Sequence, residues 1–396
     1  MAEQGQQKVS AGVTDPPLSD KVEFLLRSDS YPGPVDAVTS IETHMSWVFL
    51  AGDKAYKLKK AIQLPYLNFS TVEKREAACR AELVLNRRLA PNLYLSVSPI
   101  CKTPTGFQID GGGPIVDWLV VMHRVDEGLM LDANILEHRT EQQRLRELEN
   151  ALFQFYRRAR PVFATPTKYM TKWRNLVRAN QKVLTNRRLN MPAGAVLTVQ
   201  RAQRQFLERS GHLLLQRLRA RKIVDGHGDL RPEHIWLGSP VSIIDCLEFN
   251  AEFRSVDPFD EISYLAVECE RLGDARIGNQ IGWKLMQMLP DPPSPEVLTF
   301  YRCFRATLRA NLSIAHLLEP TPRTPEKWRP LALKYLEIAR REAVTLGQFL
   351  NKRASRPTVD CDAAGRSLAQ TNRLRKQCRS FAWRQYPTNG KVERYR

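Results

Sequence analysis

The sequence predicts an α+β protein of two lobes, a small antiparallel sheet with one helix followed by a larger, mainly helical part. Three observations carry this. The 396 residues exceed what one hydrophobic core usually organises. Strand-like runs cluster between Ala37 and Met122, with two short ones later near residues 224 and 241. From Leu131 onward the apolar spacing turns helical. The expected division is a disordered lead over 1–20, a first lobe over 21–124, a second over 125–350 and a basic, disordered tail over 351–396.

Each element has its own signal. Val22 to Arg27 gives a short helical pattern before the breaker Tyr31-Pro32-Gly33-Pro34. Ala37 to Thr43 and Trp47 to Ala51 read as a hairpin around His44-Met45-Ser46, and Gly52-Asp53 turns into a third strand, Ala55 to Lys60. Strand alternation puts Ala55, Lys57 and Lys59 on one face. Val72 to Leu89 reads as a helix with Ser70 or Thr71 at its start and Pro91 beyond its end. It carries Glu82 amid Ala78, Leu85 and Leu89, while Glu73 and Glu76 lie nearer the capped end. Leu93 to Ile100 and Trp118 to Met122 read as two further strands separated by Gly111-Gly112-Gly113-Pro114. Polarity rises abruptly over Met122 to Gly128, the expected hinge. Helical spacing then covers 144–160, 168–184, 197–222, 261–271, 277–289, 295–318 and 331–350.

Composition excludes several classes. There is no run of eighteen apolar residues and no apolar stretch at the N-terminus, so neither a membrane span nor a signal peptide is expected, and the cytoplasm is the expected location. Seven cysteines without a C-x-x-C pair suit a reducing compartment without structural zinc. The net charge of +18 is concentrated: Arg139 to Lys222 holds 20 Lys/Arg against 4 Asp/Glu, and Lys352 to Arg396 holds 12 against 3. The tail interleaves few aromatics, Phe381, Trp383 and Tyr386, which argues against a nucleic-acid partner there.

The chemistry is concentrated in Val224 to Leu237, which contains His227-Gly228-Asp229-Leu230-Arg231-Pro232-Glu233-His234, and in the apolar run Val241 to Ile244 that ends at Asp245. Two short strand-like runs flank a polar loop, a hairpin expected to hold two carboxylates at one spot. Asp257-Pro258-Phe259-Asp260 then opens a helical segment. His227-Gly228-Asp229 resembles the H-G-D loop of aminoglycoside phosphotransferases, choline kinases and their relatives, and the later D-P-x-x-D element is similar too. The resemblance covers roughly residues 36 to 345. In detail it is to a functionally unassigned bacterial branch with T-H-M-S-W-V-F-L near the start, whose members are often fused to a C-terminal P-loop kinase domain. No G-x-x-x-x-G-K-[ST] occurs in this chain.

The resemblance implies a protein-kinase-like fold and an ATP-dependent transfer of phosphate to a small-molecule hydroxyl. Asp229 is then the expected base, with Arg231 helping to neutralise transferred charge and Asp245 holding Mg²⁺. Lys57 is the expected phosphate clamp, with Lys59 as runner-up, and Glu82 is its acidic partner. Main chain at Val121, Met122 and His123 is expected to read adenine. The turn ending at Ser46 is expected over the phosphates, although no G-x-G-x-x-G is present. Asp257 and Asp260 are expected to brace the loop. One departure stands out: the family loop usually ends in asparagine, and here His234 takes that place. Imidazole suits Mn²⁺ better than Mg²⁺, so His234 is expected to bind a softer metal, leave one position to water, or orient Asp229. The basic stretch 139–222 lies where the family builds its acceptor pocket, so the expected acceptor is neutral or anionic. Two other functions fit the sequence, a nucleotide-binding regulator with little turnover and a nucleic-acid-binding protein using the basic segments.

Overall fold

The computed structural model describes residues 15–354. In chain order the elements are α1 (Leu18–Leu26), β1 (Val38–Glu42), β2 (Ser46–Ala51), β3 (Lys54–Lys59), β4 (Gln63–Leu64), β5 (Leu67–Asn68), α2 (Val72–Asn86), β6 (Tyr94–Thr103), β7 (Gly106–Ile109), β8 (Ile115–His123), α3 (Leu131–Leu136), α4 (Gln142–Arg158) and α5 (Pro166–Leu184). After these come α6 (Ala193–Arg209), α7 (Gly211–Arg219), β9 (Val224–Asp225), β10 (Ile235–Trp236), β11 (Ser242–Ile243), α8 (Ala251–Arg254), β12 (Ser255–Val256), α9 (Pro258–Arg271), α10 (Ala275–Met288), α11 (Pro295–Ala315) and α12 (Pro325–Ala354). This is the α+β content expected.

The described residues fall into two compact units. One runs up to Met130 and adds His234–Arg254; the other is Leu131–Glu233 with the residues from Ser255 onward. The expected boundary near residue 124 is corrected in this respect. The segment after the H-G-D loop returns to the first unit because its backbone is bonded there: the Leu237 N–H donates to Leu129 O (2.8 Å) and Ile243 N–H to Leu89 O (3.3 Å). The expected lead is also shorter than 1–20, since α1 begins at Leu18 and buries Lys21. Residues 1–14 of that lead, and 355–396 of the expected tail, lie outside the described residues.

In the first unit a six-stranded antiparallel sheet has the order β1-β2-β3-β8-β6-β7. Its central strand β8 is apolar on both faces, as a strand covered on both sides must be. Leu119 and Val121 join a core with α1 that includes Leu25, Phe49, Tyr56 and Leu58. Val120 points the other way, into a core with Cys79, Leu93, Tyr94 and Trp118. The strand β7 was not legible in the sequence, where Gly106 to Ile109 lies within the long connection before the triple-glycine turn.

The second unit is helical. Nearly every residue of α9 from Pro258 to Cys269 is buried, as is most of α11, so these two helices form its centre. Trp173 of α5, Phe206 of α6 and Phe300, Tyr301 and Phe304 of α11 stack together there, with ring centroids 4.2–6.4 Å apart. The single helix expected over 197–222 breaks at Ser210. A Cβ on Gly211 would come 2.8 Å from Met170 Cε, so the start of α7 approaches α5 more closely than another residue would allow. Among the described residues, no helix is long and apolar enough to cross a membrane.

Candidate functional site

The first unit gathers Lys57, Glu82 and Asp245. Lys57 on β3 lies opposite Val120 on β8, and so shares the face that meets α2. On α2 the buried residues are Arg75, Cys79, Glu82 and Asn86, spaced four, three and four apart on one face. A helix that buries a polar stripe hides from apolar periodicity, yet each member is bonded. Arg75 meets Asp117 (2.7 Å), Cys79 Sγ lies 3.8 Å from Trp118 O, and Asn86 Oδ1 accepts from Cys246 N–H (2.9 Å). Glu82, 0% exposed, takes Lys57 on one oxygen (2.8 Å) and Lys59 on the other (2.6 Å).

Lys57 also reaches Asp245 Oδ1 at 2.7 Å. Burial opposes the Lys57 charge, but Asp245, Glu82 and Glu248 outweigh it and hold the ammonium well above its usual range. Burial likewise pushes the Glu82 carboxyl up, and the two lysines overcome that and leave it below the usual glutamate range. Lys59, the runner-up in sequence, is only 1% exposed and pairs additionally with Glu248. It is a buried strut, whereas Lys57 keeps 15% of its side chain accessible.

Asp245 sits at φ +61, in the left-handed region that non-glycine residues seldom occupy. Several bonds hold it there: its N–H donates to Tyr94 Oη (3.2 Å), Ile244 N–H donates to His234 O (2.9 Å), and Glu248 is tied to Lys59. Its carboxylate is 44% exposed, and His234 Nε2 stands 3.5 Å from Oδ2. One accessible carboxylate beside an ammonium fits a cation carried in on nucleotide phosphates, which keeps most of its other oxygen ligands. Asp245 would hold it, with the His234 ring alongside.

A cleft of about 940 Å³ in the same unit is lined by Thr39, Ile41, Leu50, Leu93, Trp236 and the chain from His123 to Glu127. Of the expected hinge residues, His123 lines this cleft. His123 N–H is used by Leu93 O (2.8 Å) and Arg124 N–H by Asp53 O (2.8 Å), and Val121 lies within the sheet. The Val125 N–H donates to no backbone carbonyl among the described residues, and Val125 lines this cleft. Ser46 opens β2. It is buried, and its N–H is bonded to Thr43 Oγ1 (3.0 Å), so its turn closes on itself.

The second unit carries Asp229. Gly228 has φ +91, and a Cβ on Gly226 would come 2.5 Å from Glu261 Oε2, so the two glycines let the loop wrap a buried carboxylate. Glu261 accepts from the N–H groups of Gly228 and His227 (3.1 Å for the latter) and from Tyr156 Oη (2.9 Å). Burial raises its pKa, which those donors only partly offset. Bracing was expected from Asp257 and Asp260. Instead Asp257 caps α9 and takes Arg217 (2.6 Å), and Asp260 takes both arms of Arg305 (2.7 Å each), while Glu261 holds the loop. Asp229 receives Tyr264 Oη on Oδ1 (3.0 Å) and Arg231 Nε on Oδ2 (3.0 Å). Burial works against the Arg231 charge, and Asp229 more than restores it.

The expected hairpin is not formed as one. β9 pairs with β12, and β10 pairs with β11, so Asp229 follows one ladder and Asp245 another. Tyr94, Tyr264, Glu248 and Glu261 went unrecognised in the sequence. Glu261 had a signal, an acid in the first turn of a capped helix; the other three had none.

No protein-family profile matches the chain. Uncharacterized proteins of Mycobacterium tuberculosis and Mycobacterium bovis are 28% identical over 289 residues, 71% of this chain and 55% of their own length. The chain thus spans about half the length of the curated relatives it matches. Three of the solved structures it resembles follow. A choline/ethanolamine kinase family protein of Mesorhizobium loti is 17% identical, covering 81% of this chain and 92% of that one, with a TM-score of 0.49. An aminoglycoside 2'-phosphotransferase solved with GDP gives 15%, 84%, 99% and 0.46, and a choline kinase of Cryptosporidium parvum gives 10%, 84%, 95% and 0.43.

Proposed function

We propose that this chain is an ATP-dependent phosphotransferase acting on a hydroxyl of a small neutral or anionic molecule. The observation that supports it most is Lys57, held between buried Glu82 and accessible Asp245 at 2.8 and 2.7 Å. A lysine so placed exchanges one carboxylate for phosphate oxygens without moving far, while Glu82 keeps its direction. The metal, when bound, neutralises phosphate charge, and Asp245 is its carboxylate.

In the reaction Asp229 takes the acceptor hydroxyl proton as that oxygen bonds to the γ-phosphorus, and the bond from phosphorus to the β-phosphate oxygen breaks, leaving ADP. Tyr264 and Arg231 fix the direction of the Asp229 carboxylate. The acceptor class follows from charge. Of the twenty basic residues between Arg139 and Lys222, sixteen are exposed and only Arg217 is buried, so they set the surface field of this unit. That field repels polycations.

An ADP-release screen over sugars, nucleosides, sugar phosphates and aminoglycosides, with Asp229→Asn as control, tests this. The expected result is turnover of a neutral or anionic acceptor that the control lacks. Kanamycin turnover with a micromolar to millimolar KM would refute the acceptor class.

A further inference from the structure

We propose that the exposed basic residues of the stretch from Arg157 to Arg221, eight of them on α5, α6 and α7, bind single-stranded nucleic acid. Between Arg157 and Lys222, fourteen basic side chains are exposed, twelve of them arginines, and the sole acid is Glu208. Within this stretch exposed cations outnumber acids fourteen to one, and clustered like charges attract anions. The stretch is also organised. On α5 the buried positions are Tyr169, Met170, Trp173, Val177, Asn180 and Leu184, which leaves Arg174, Arg178 and Lys182 as an exposed stripe at four-residue spacing. The stripe spans about 12 Å along the helix.

The side-chain chemistry selects the polyanion. Arginine predominates over lysine, and its planar fork matches phosphate oxygens while its face stacks on bases. Phe163, just before α5, is 76% exposed, and the Arg221 guanidinium lies 5.4 Å from its ring centroid. An exposed ring beside a guanidinium is a stacking platform for an unpaired base. An anionic membrane fits less well, because the stretch exposes only two large apolar side chains, Phe163 and Leu197, too few to make an apolar face for a bilayer interface. The reading does not depend on the phosphotransferase proposal.

The test is fluorescence-anisotropy titration of the full chain with RNA and DNA oligonucleotides of about 16 nucleotides, over about 50 to 200 mM salt. Three variants are compared with the parent: Arg174→Gln/Arg178→Gln/Lys182→Gln; the equal charge loss Arg276→Gln/Lys334→Gln/Arg340→Gln at exposed positions elsewhere in the unit; and Phe163→Ala. The expected result is binding by the parent to either oligonucleotide, with the slope of log K on log salt smaller by about 2 in the α5 variant. The control triple should leave that slope nearly unchanged. Phe163→Ala should weaken binding roughly fivefold at constant slope. No binding at the lowest salt, an equal effect of the control triple, or tighter retention on anionic lipid vesicles would each overturn the proposal.

Discussion

Charge is used in opposite ways in two regions, the sheet face under α2 in the first unit and the 157–222 surface of the second, whose centre also buries pairs such as Arg305–Asp260. In the first, Lys59, Arg75, Glu82 and Asp117 are each at most 1% exposed, and all are ion-paired. In the second, the stretch from Arg157 to Lys222 keeps fourteen of its seventeen cations in solvent. A buried pair fixes geometry because removing one partner strands the other in low dielectric. An exposed cation fixes nothing locally and acts through the summed field. The same residue types therefore predict large, local effects on the face under α2 and small, salt-dependent ones on the 157–222 surface.

The largest effect is expected where positioning and chemistry coincide. Asp229→Asn should lower kcat by about 10²–10⁴-fold while Mg·ATP affinity stays within about twofold, since the base acts on the acceptor. Stopped assays of ADP release with parallel calorimetry check this, and equal loss of nucleotide binding would contradict the role.

Next come the struts. Lys59→Met should cost about 3–5 kcal/mol, because it leaves Glu82 and Glu248 without their shared cation, and urea unfolding measures it. Lys57→Met should cost less, since its side chain is partly accessible. Glu82 adds a pH dependence. Its folded pKa lies below the usual value, so its contribution is present at neutral pH and is lost as pH falls below the ordinary glutamate range. In Glu82→Gln that part of the acid destabilisation should vanish, which unfolding free energies over a pH series would show.

The smallest effect is on the exposed side of the comparison. Neutralising Arg174, Arg178 and Lys182 should change unfolding free energy by no more than about 0.5 kcal/mol per site. A larger loss would mean that these side chains hold structure, and the contrast between the two regions would fail.

How much of this was legible in sequence follows the range of the interaction. Strand alternation put Lys57 and Lys59 on one face, and helix spacing nominated Glu82, because both signals are local. Glu248 reaches Lys59 across 189 residues and Tyr264 reaches Asp229 across 35, and no period carries such pairs. Lys59 stood only as runner-up to Lys57, since its pairing with Glu248 is equally non-local. The H-G-D loop was visible as a motif, but its support by Glu261 was assigned to the neighbouring Asp260, whose partner Arg305 lies 45 residues further on. The mismatched hairpin has a similar cause. β9 finds its partner in β12, Asp225 opposite Ser255 and Val224 opposite Val256, with a nearer apolar run intervening.

The central claim is that Lys57, Glu82 and Asp245 form a site for nucleotide phosphates and a divalent cation. Isothermal titration of ATP into the parent chain and Asp245→Ala, each with Mg²⁺, with Mn²⁺ and with EDTA, tests it most directly. The account predicts micromolar to millimolar binding by the parent that requires the metal, and loss of the metal-dependent part in Asp245→Ala. Parent affinity that is the same in EDTA, or a variant that binds Mg·ATP as the parent does, would contradict it.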